Sequence, residues 1–182
     1  GIIGMSLTSN KAFVTLPLSL MVVAVAASAI PATMLMRRVG RKPGFVIAAT
    51  IAAGGMFIGV LALRYSSFVL FCAATMLVGV NMAFTQQYRY AAAESVRPEY
   101  VARAISFVLL GPIGGAFLGK ELATRGQDWI AGIPHAGTLA ALGGLFVLQA
   151  IVLLALREPD AHEEHETRRS DRPVREIIRQ PV

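Results

Sequence analysis

Charge is missing from most of this chain. Of its 182 residues, 15% are Asp, Glu, Lys or Arg, against about a quarter in soluble domains. Five runs carry no charge at all: residues 12–36, 43–63, 65–88, 104–119 and 129–156. With no carboxylate inside any of them, the paired buried acids of a membrane hydrolase cannot be assembled, and no nucleophile–base set or phosphate loop stands elsewhere. The sequence reads as a non-enzyme and implies no cofactor. A single cysteine, Cys72, excludes an intrachain disulfide and any cysteine-built metal or redox motif. Histidine is scarce too. His162 and His165 flank two glutamates, but a zinc helix needs its histidines four apart with the glutamate beside the first, so this segment reads as solvated chain and no metal is expected. His135 reads as an interface residue.

What the chain does have is apolar length. Each uncharged run matches or approaches the ~20 residues a helix needs to cross about 30 Å of hydrocarbon. Hydrophobic residues make up 55% of the sequence and mean hydropathy is +0.60. Lipid cannot satisfy backbone amides, so spanning segments are helices or closed barrels, and these continuous runs lack the alternation of barrel strands. The expected fold is all-α: a polytopic transmembrane bundle over residues 1–157, with spans at 12–36, 43–63, 68–90, 102–119 and 137–156. Residues 158–182, which mix acids with arginines, cannot bury a core and read as a charged cytoplasmic linker. Both ends of the chain look cut, and Gly1–Leu7 reads as the last turns of a helix whose beginning is absent.

The formal charge of +6 could suggest nucleic acid. The basic residues, however, cluster at span ends and not on an aromatic-interleaved face, so no nucleic-acid partner is expected. Their distribution sets orientation instead. Arg37, Arg38, Arg41, Lys42, Arg89, Arg97, Arg103 and the six arginines from Arg157 onward lie on one side, against Lys11, Arg64, Lys120 and Arg125 on the other. The richer side is the cytoplasm, and the bilayer expected is the plasma membrane, or the inner membrane in a Gram-negative cell. Tyr65 and Trp129 suit the outer interface.

Two polar or small-residue patterns interrupt the apolar runs. Gly111, Gly115 and Gly119 recur every four residues beside Pro112, a face on which a neighbouring helix could pack closely or a hinge could work. Asn81, Thr85, Tyr88 and Arg89 form a stripe flanked by Gln86; such side chains need partners or water and so should face the bundle or a wet cavity. Arg89 has two further readings, as an interfacial anchor or as a partner of Glu94.

The segment Leu35-Met36-Arg37-Arg38-Val39-Gly40-Arg41-Lys42, between an out-to-in and an in-to-out span, resembles the signature loop of the major facilitator superfamily, G-x-L-x-D-R-x-G-R-K. Leu35, Arg38, Gly40, Arg41 and Lys42 match; Thr33 stands at the first glycine and Arg37 at the acidic position. Gly111-Pro112 with Gly115 is similar to the family's antiporter motif, in which Phe107 and Ala116 replace glycines. The resemblance implies the N-terminal six-helix half of a permease, partnered by a C-terminal half and the lipid bilayer. It implies a small-molecule substrate moved by alternating access, with proton-coupled efflux as one form. It also makes Asn81, Thr85, Gln86, Tyr88 and Arg89 the substrate-cavity candidates, because the family's fourth helix lines the cavity. The alternative is a receptor or assembly subunit on the same bundle that transports nothing.

Overall fold

The computed structural model describes residues 2–8, 11–94 and 96–155. The residues 158–182 expected to form the charged linker, with His162 and His165, lie outside the described residues. Among the described residues, seven α-helices carry the fold: α1 (Ile2–Leu7), α2 (Leu16–Val39), α3 (Arg41–Arg64), α4 (Phe68–Thr85), α5 (Tyr88–Glu94), α6 (Val101–Arg125) and α7 (Ala136–Ala155). No strand occurs among the described residues. Five helical segments are long and apolar enough to cross a membrane, with α4 and α5 counted as one span, Phe68–Glu94.

Local sequence explains most boundaries. Pro17 occupies the first turn of α2, where its missing N–H costs nothing, so this helix starts at Leu16 and not at residue 12. It runs on to Val39 because Arg37 and Arg38 sit favourably against the negative end of its dipole. Gly40, at φ 91°, then reverses the chain in one residue, a left-handed conformation that glycine adopts without a Cβ clash. The basic loop is therefore hardly a loop: Arg37 and Arg38 close α2, while Arg41 and Lys42 open α3. At the other end of α3, Ser66 takes φ 48°, and Ser67 caps α4 by accepting from the Leu70 amide at 3.4 Å.

Two further boundaries depart from the sequence expectation. The fourth span was expected at 102–119, but α6 continues to Arg125, where Arg125 Nε pairs with Glu121 Oε2 one turn earlier at 2.8 Å; a pair so spaced favours helix. The span expected as one helix over 68–90 is broken at Gln86–Gln87. The Gln87 amide reaches back three residues to the Phe84 carbonyl at 2.9 Å, a tightened step where an α-helical bond would reach four.

Helix α3 is the hub. It packs against α4 and α7, while α4 also packs along α2. Its buried face is made almost wholly of small side chains: Ala48, Ala49, Ala52, Ala53, Gly55, Gly59 and Ala62. Helices in lipid gain nothing from hiding apolar surface, so association depends on close backbone approach. A Cβ on Gly55 would stand 2.9 Å from Leu77 Cβ, and one on Gly59 would stand 3.2 Å from Leu139 Cδ1. On α4, Gly79 lies directly against the Met21 carbonyl of α2. Helix α6 is different, because none of its residues is buried.

Candidate functional site

The polar stripe does not stay on one face. Asn81 is buried, at 5% exposure, and is the buried polar side chain among the described residues. Thr85 and Gln86 are exposed, Tyr88 is half-buried and Arg89 is exposed. Thr85 stands one α-helical turn from Asn81 and is exposed as the last residue of α4. Tyr88 and Arg89 lie beyond the step at Gln87, where extrapolation at 100° per residue no longer holds.

Just before the break the Thr85 hydroxyl donates to the Asn81 carbonyl at 3.0 Å, a back-bond of the kind that bends helices and that Thr50 also makes within the unbroken α3. After the break, Arg89 Nη2 donates to Gln86 Oε1 at 3.2 Å. Arg89 thus bonds within its own segment. Glu94 pairs instead with the signature arginine Arg41, Nη2 to Oε2 at 2.6 Å, which ties the end of α5 to the start of α3.

Tyr88 links three helices. Gln149 Nε2 on α7 donates to the Tyr88 hydroxyl at 2.8 Å, and the Tyr88 ring lies on Phe45 of α3 with centroids 4.2 Å apart and planes tilted by 33°. Phe45 belongs to a buried cluster with Ala32, Met36, Ala48 and Phe84, edged by Leu35, Val80 and Leu153. The signature residue Leu35 therefore packs into the same cluster that holds Tyr88. Gly44 lets the corner close: a Cβ there would stand 2.8 Å from Met36 Cγ. Arg37 and Arg38 are exposed.

The glycine face of α6 meets nothing. A Cβ built on Gly111, Gly114, Gly115 or Gly119 finds no atom of the described residues within 4 Å, and Pro112 lies inside the same exposed helix. The tight glycine contacts fall elsewhere, at Gly55, Gly59, Gly79 and Gly137.

Gln149, Phe45 and the Arg41–Glu94 pair were not anticipated from the sequence. Gln149 did leave a signal, as a lone amide within the apolar run Leu145–Leu154 that had to find a partner. Phe45 left none.

Comparison with known proteins bears on what this arrangement serves. The model of the Major Facilitator Superfamily matches residues 2–182. The chain is 33% identical over 185 residues to the riboflavin transporter RfnT of Brucella anthropi, an alignment covering 100% of this chain and 46% of the transporter. It is 32% identical over 128 residues to the uncharacterized MFS-type transporter YddS of Bacillus subtilis, covering 68% of this chain and 28% of that protein. The uncharacterized MFS-type transporter YdeG of the same organism is 29% identical over 165 residues, covering 87% and 38% respectively. The chain thus spans less than half the length of these curated relatives. No solved structure matches it.

Proposed function

Because the chain belongs to the major facilitator superfamily, we propose that it forms the first half of a secondary transporter that carries a small solute across the plasma membrane by alternating access, and that the solute is a flavin. The observation that carries the substrate class is the 33% identity to a riboflavin transporter along the whole chain. In this reading the second half lies outside the sequence and closes on the exposed glycine face of α6. The small residues Gly111, Gly115 and Gly119 suit a close, sliding contact there, since they let backbones approach without interlocking side chains.

The cavity in this reading is lined from α4. Asn81 lies midway along the span Phe68–Glu94, roughly 20 Å from either end at 1.5 Å per residue, which suits a site toward the middle of the bilayer. Thr85, Gln86 and Arg89 then stand at its cytoplasmic mouth.

The test is uptake of radiolabelled riboflavin by proteoliposomes containing the full-length protein, with and without an imposed pH gradient. Saturable uptake above protein-free liposomes supports the reading, and acceleration by the gradient supports proton coupling. Uptake of another small solute but not riboflavin would keep the transporter and remove the flavin. No transport of any solute would return the bundle to a receptor or assembly role.

A further inference from the structure

The span Phe68–Glu94 is broken into two helices whose packing partners differ. Helix α4 lies along α2 and α3, whereas α5 packs chiefly against α6. The connection between them is only Gln86–Gln87, with the Gln87 amide bonded three residues back and the Thr85 hydroxyl bonded to the Asn81 carbonyl. No proline or glycine occupies residues 80–94, so the break is not forced by a residue that cannot be helical. A short 3₁₀ step inside a long helix, held only by a threonine back-bond, needs little rearrangement to straighten.

Something else must therefore fix the angle, and the contacts of α5 show what does. At its first residue, Tyr88 accepts the Gln149 amide at 2.8 Å and lies on Phe45. At its last residue, Glu94 meets Arg41 at 2.6 Å. The two attachments differ in kind. Glu94 and Arg41 have side chains 57% and 40% exposed, so water competes for them and the pair holds weakly. The Tyr88–Gln149 bond is partly buried, and breaking it strands a phenol hydroxyl and an amide away from water.

We infer that Gln86–Gln87 is a hinge within the span Phe68–Glu94, and that the hydrogen bond from Gln149 to Tyr88 is the clasp that holds its two segments in place, so that releasing the clasp lets α5 swing together with α6 against the α2–α3–α4–α7 body. The inference rests on the transporter reading for its purpose, but the hinge and clasp are structural statements that stand or fall separately.

The experiment measures distances in the full-length protein, reconstituted in lipid nanodiscs with Cys72→Ala. Spin labels are placed at Tyr90 on α5 and Val152 on α7, both exposed. Tyr88→Phe keeps the ring on Phe45 and removes only the hydroxyl; Gln149→Leu removes the donor from the other side. Each variant should add a second, longer distance population, shifting the ratio of the two by about threefold, the usual worth of one interhelical hydrogen bond in a membrane. The double variant should match the singles, because one bond is being removed. Thr85→Val, which deletes the back-bond, should also shift the distribution, because a threonine back-bond favours a bent over a straight helix. Unchanged distances in Tyr88→Phe and Gln149→Leu overturn the clasp; unchanged distances in Thr85→Val overturn the hinge. Should any variant fold poorly, Gln149→Asn, one methylene shorter, supplies the same comparison. Riboflavin uptake by the same variants in proteoliposomes is scored independently: movement without uptake in the unmodified protein removes the flavin reading and leaves the clasp, whereas uptake with unmoved labels does the reverse.

Discussion

The guanidinium of Arg41 and the carboxylate of Glu94 are 2.6 Å apart, joining the first residue of α3 to the last of α5 across 53 positions of sequence. Both side chains face water in part, so the pair contributes roughly 0.2–1 kcal/mol while fixing which way α5 points. Glu94→Gln should therefore leave the yield and melting temperature of the full-length protein nearly unchanged. It should instead raise the accessibility of a cysteine at Ala92 to a water-soluble maleimide. Exchanging the charges, Arg41→Glu with Glu94→Arg, should recover most of the original labelling rate, and failure to recover would show that the pair does not hold α5.

Gly59 and Gly115 should respond oppositely to enlargement. At Gly59 a leucine runs into Leu139 on α7, an overpacking that costs about 1–3 kcal/mol, so Gly59→Leu should lower the yield of monodisperse protein in size-exclusion chromatography. Gly115 is the central residue of the four-residue glycine repeat on α6. The described residues leave its surroundings open, so Gly115→Leu should preserve the yield and, in the proposed transporter, slow uptake by obstructing the second half.

Orientation can be read from labelling in intact cells. A cysteine at Ser66, in the turn between α3 and α4, should react with an impermeant maleimide. One at Val39, beside Arg37 and Arg38 at the end of α2, should react only after permeabilisation. The reverse pattern would invert the topology and displace Arg37–Lys42 from the cytoplasm.

Asn81 and Arg89 should separate in transport. Asn81 is buried and stands where the proposed cavity would be, so Asn81→Ala should raise KM for riboflavin by up to about tenfold, the worth of one well-placed hydrogen bond, with expression nearly intact. Arg89 is exposed and bonds to Gln86 within its own segment, so Arg89→Lys should transport normally. A wild-type KM in Asn81→Ala would take α4 out of the substrate path.

The helices were legible because lipid imposes one rule throughout: a span must be long, apolar and uncharged, and the five runs announce themselves on that basis. The cytoplasmic side of Arg37–Lys42 is an expectation from charge asymmetry alone, which the labelling above tests. The side on which each polar residue lies was not legible. The expected stripe required α-helical bonding throughout, and the Gln87 amide departs from it by reaching back three residues to Phe84, a step that no periodicity records. Tyr88 became a three-helix junction because Phe45 and Gln149 arrive from α3 and α7, and their convergence is a property of packing. The glycine face of α6 shows the converse: spacing identified a surface capable of close contact, but a surface and its occupant are separate facts, and the small residues in contact among the described residues are those of α3, α4 and α7.

The single-residue link at Gly40 has a mechanical meaning. Two helices of 24 residues each meet at one pivot with no slack, and Met36 and Gly44 are pressed together just above it. Such a joint passes on tilt but not separation: when one arm leans, the other must lean or roll with it. Adding chain at this point would decouple the arms, so an inserted pair of flexible residues after Gly40 should damage the protein more than the same insertion after Ser66, although both turns lie at the surface.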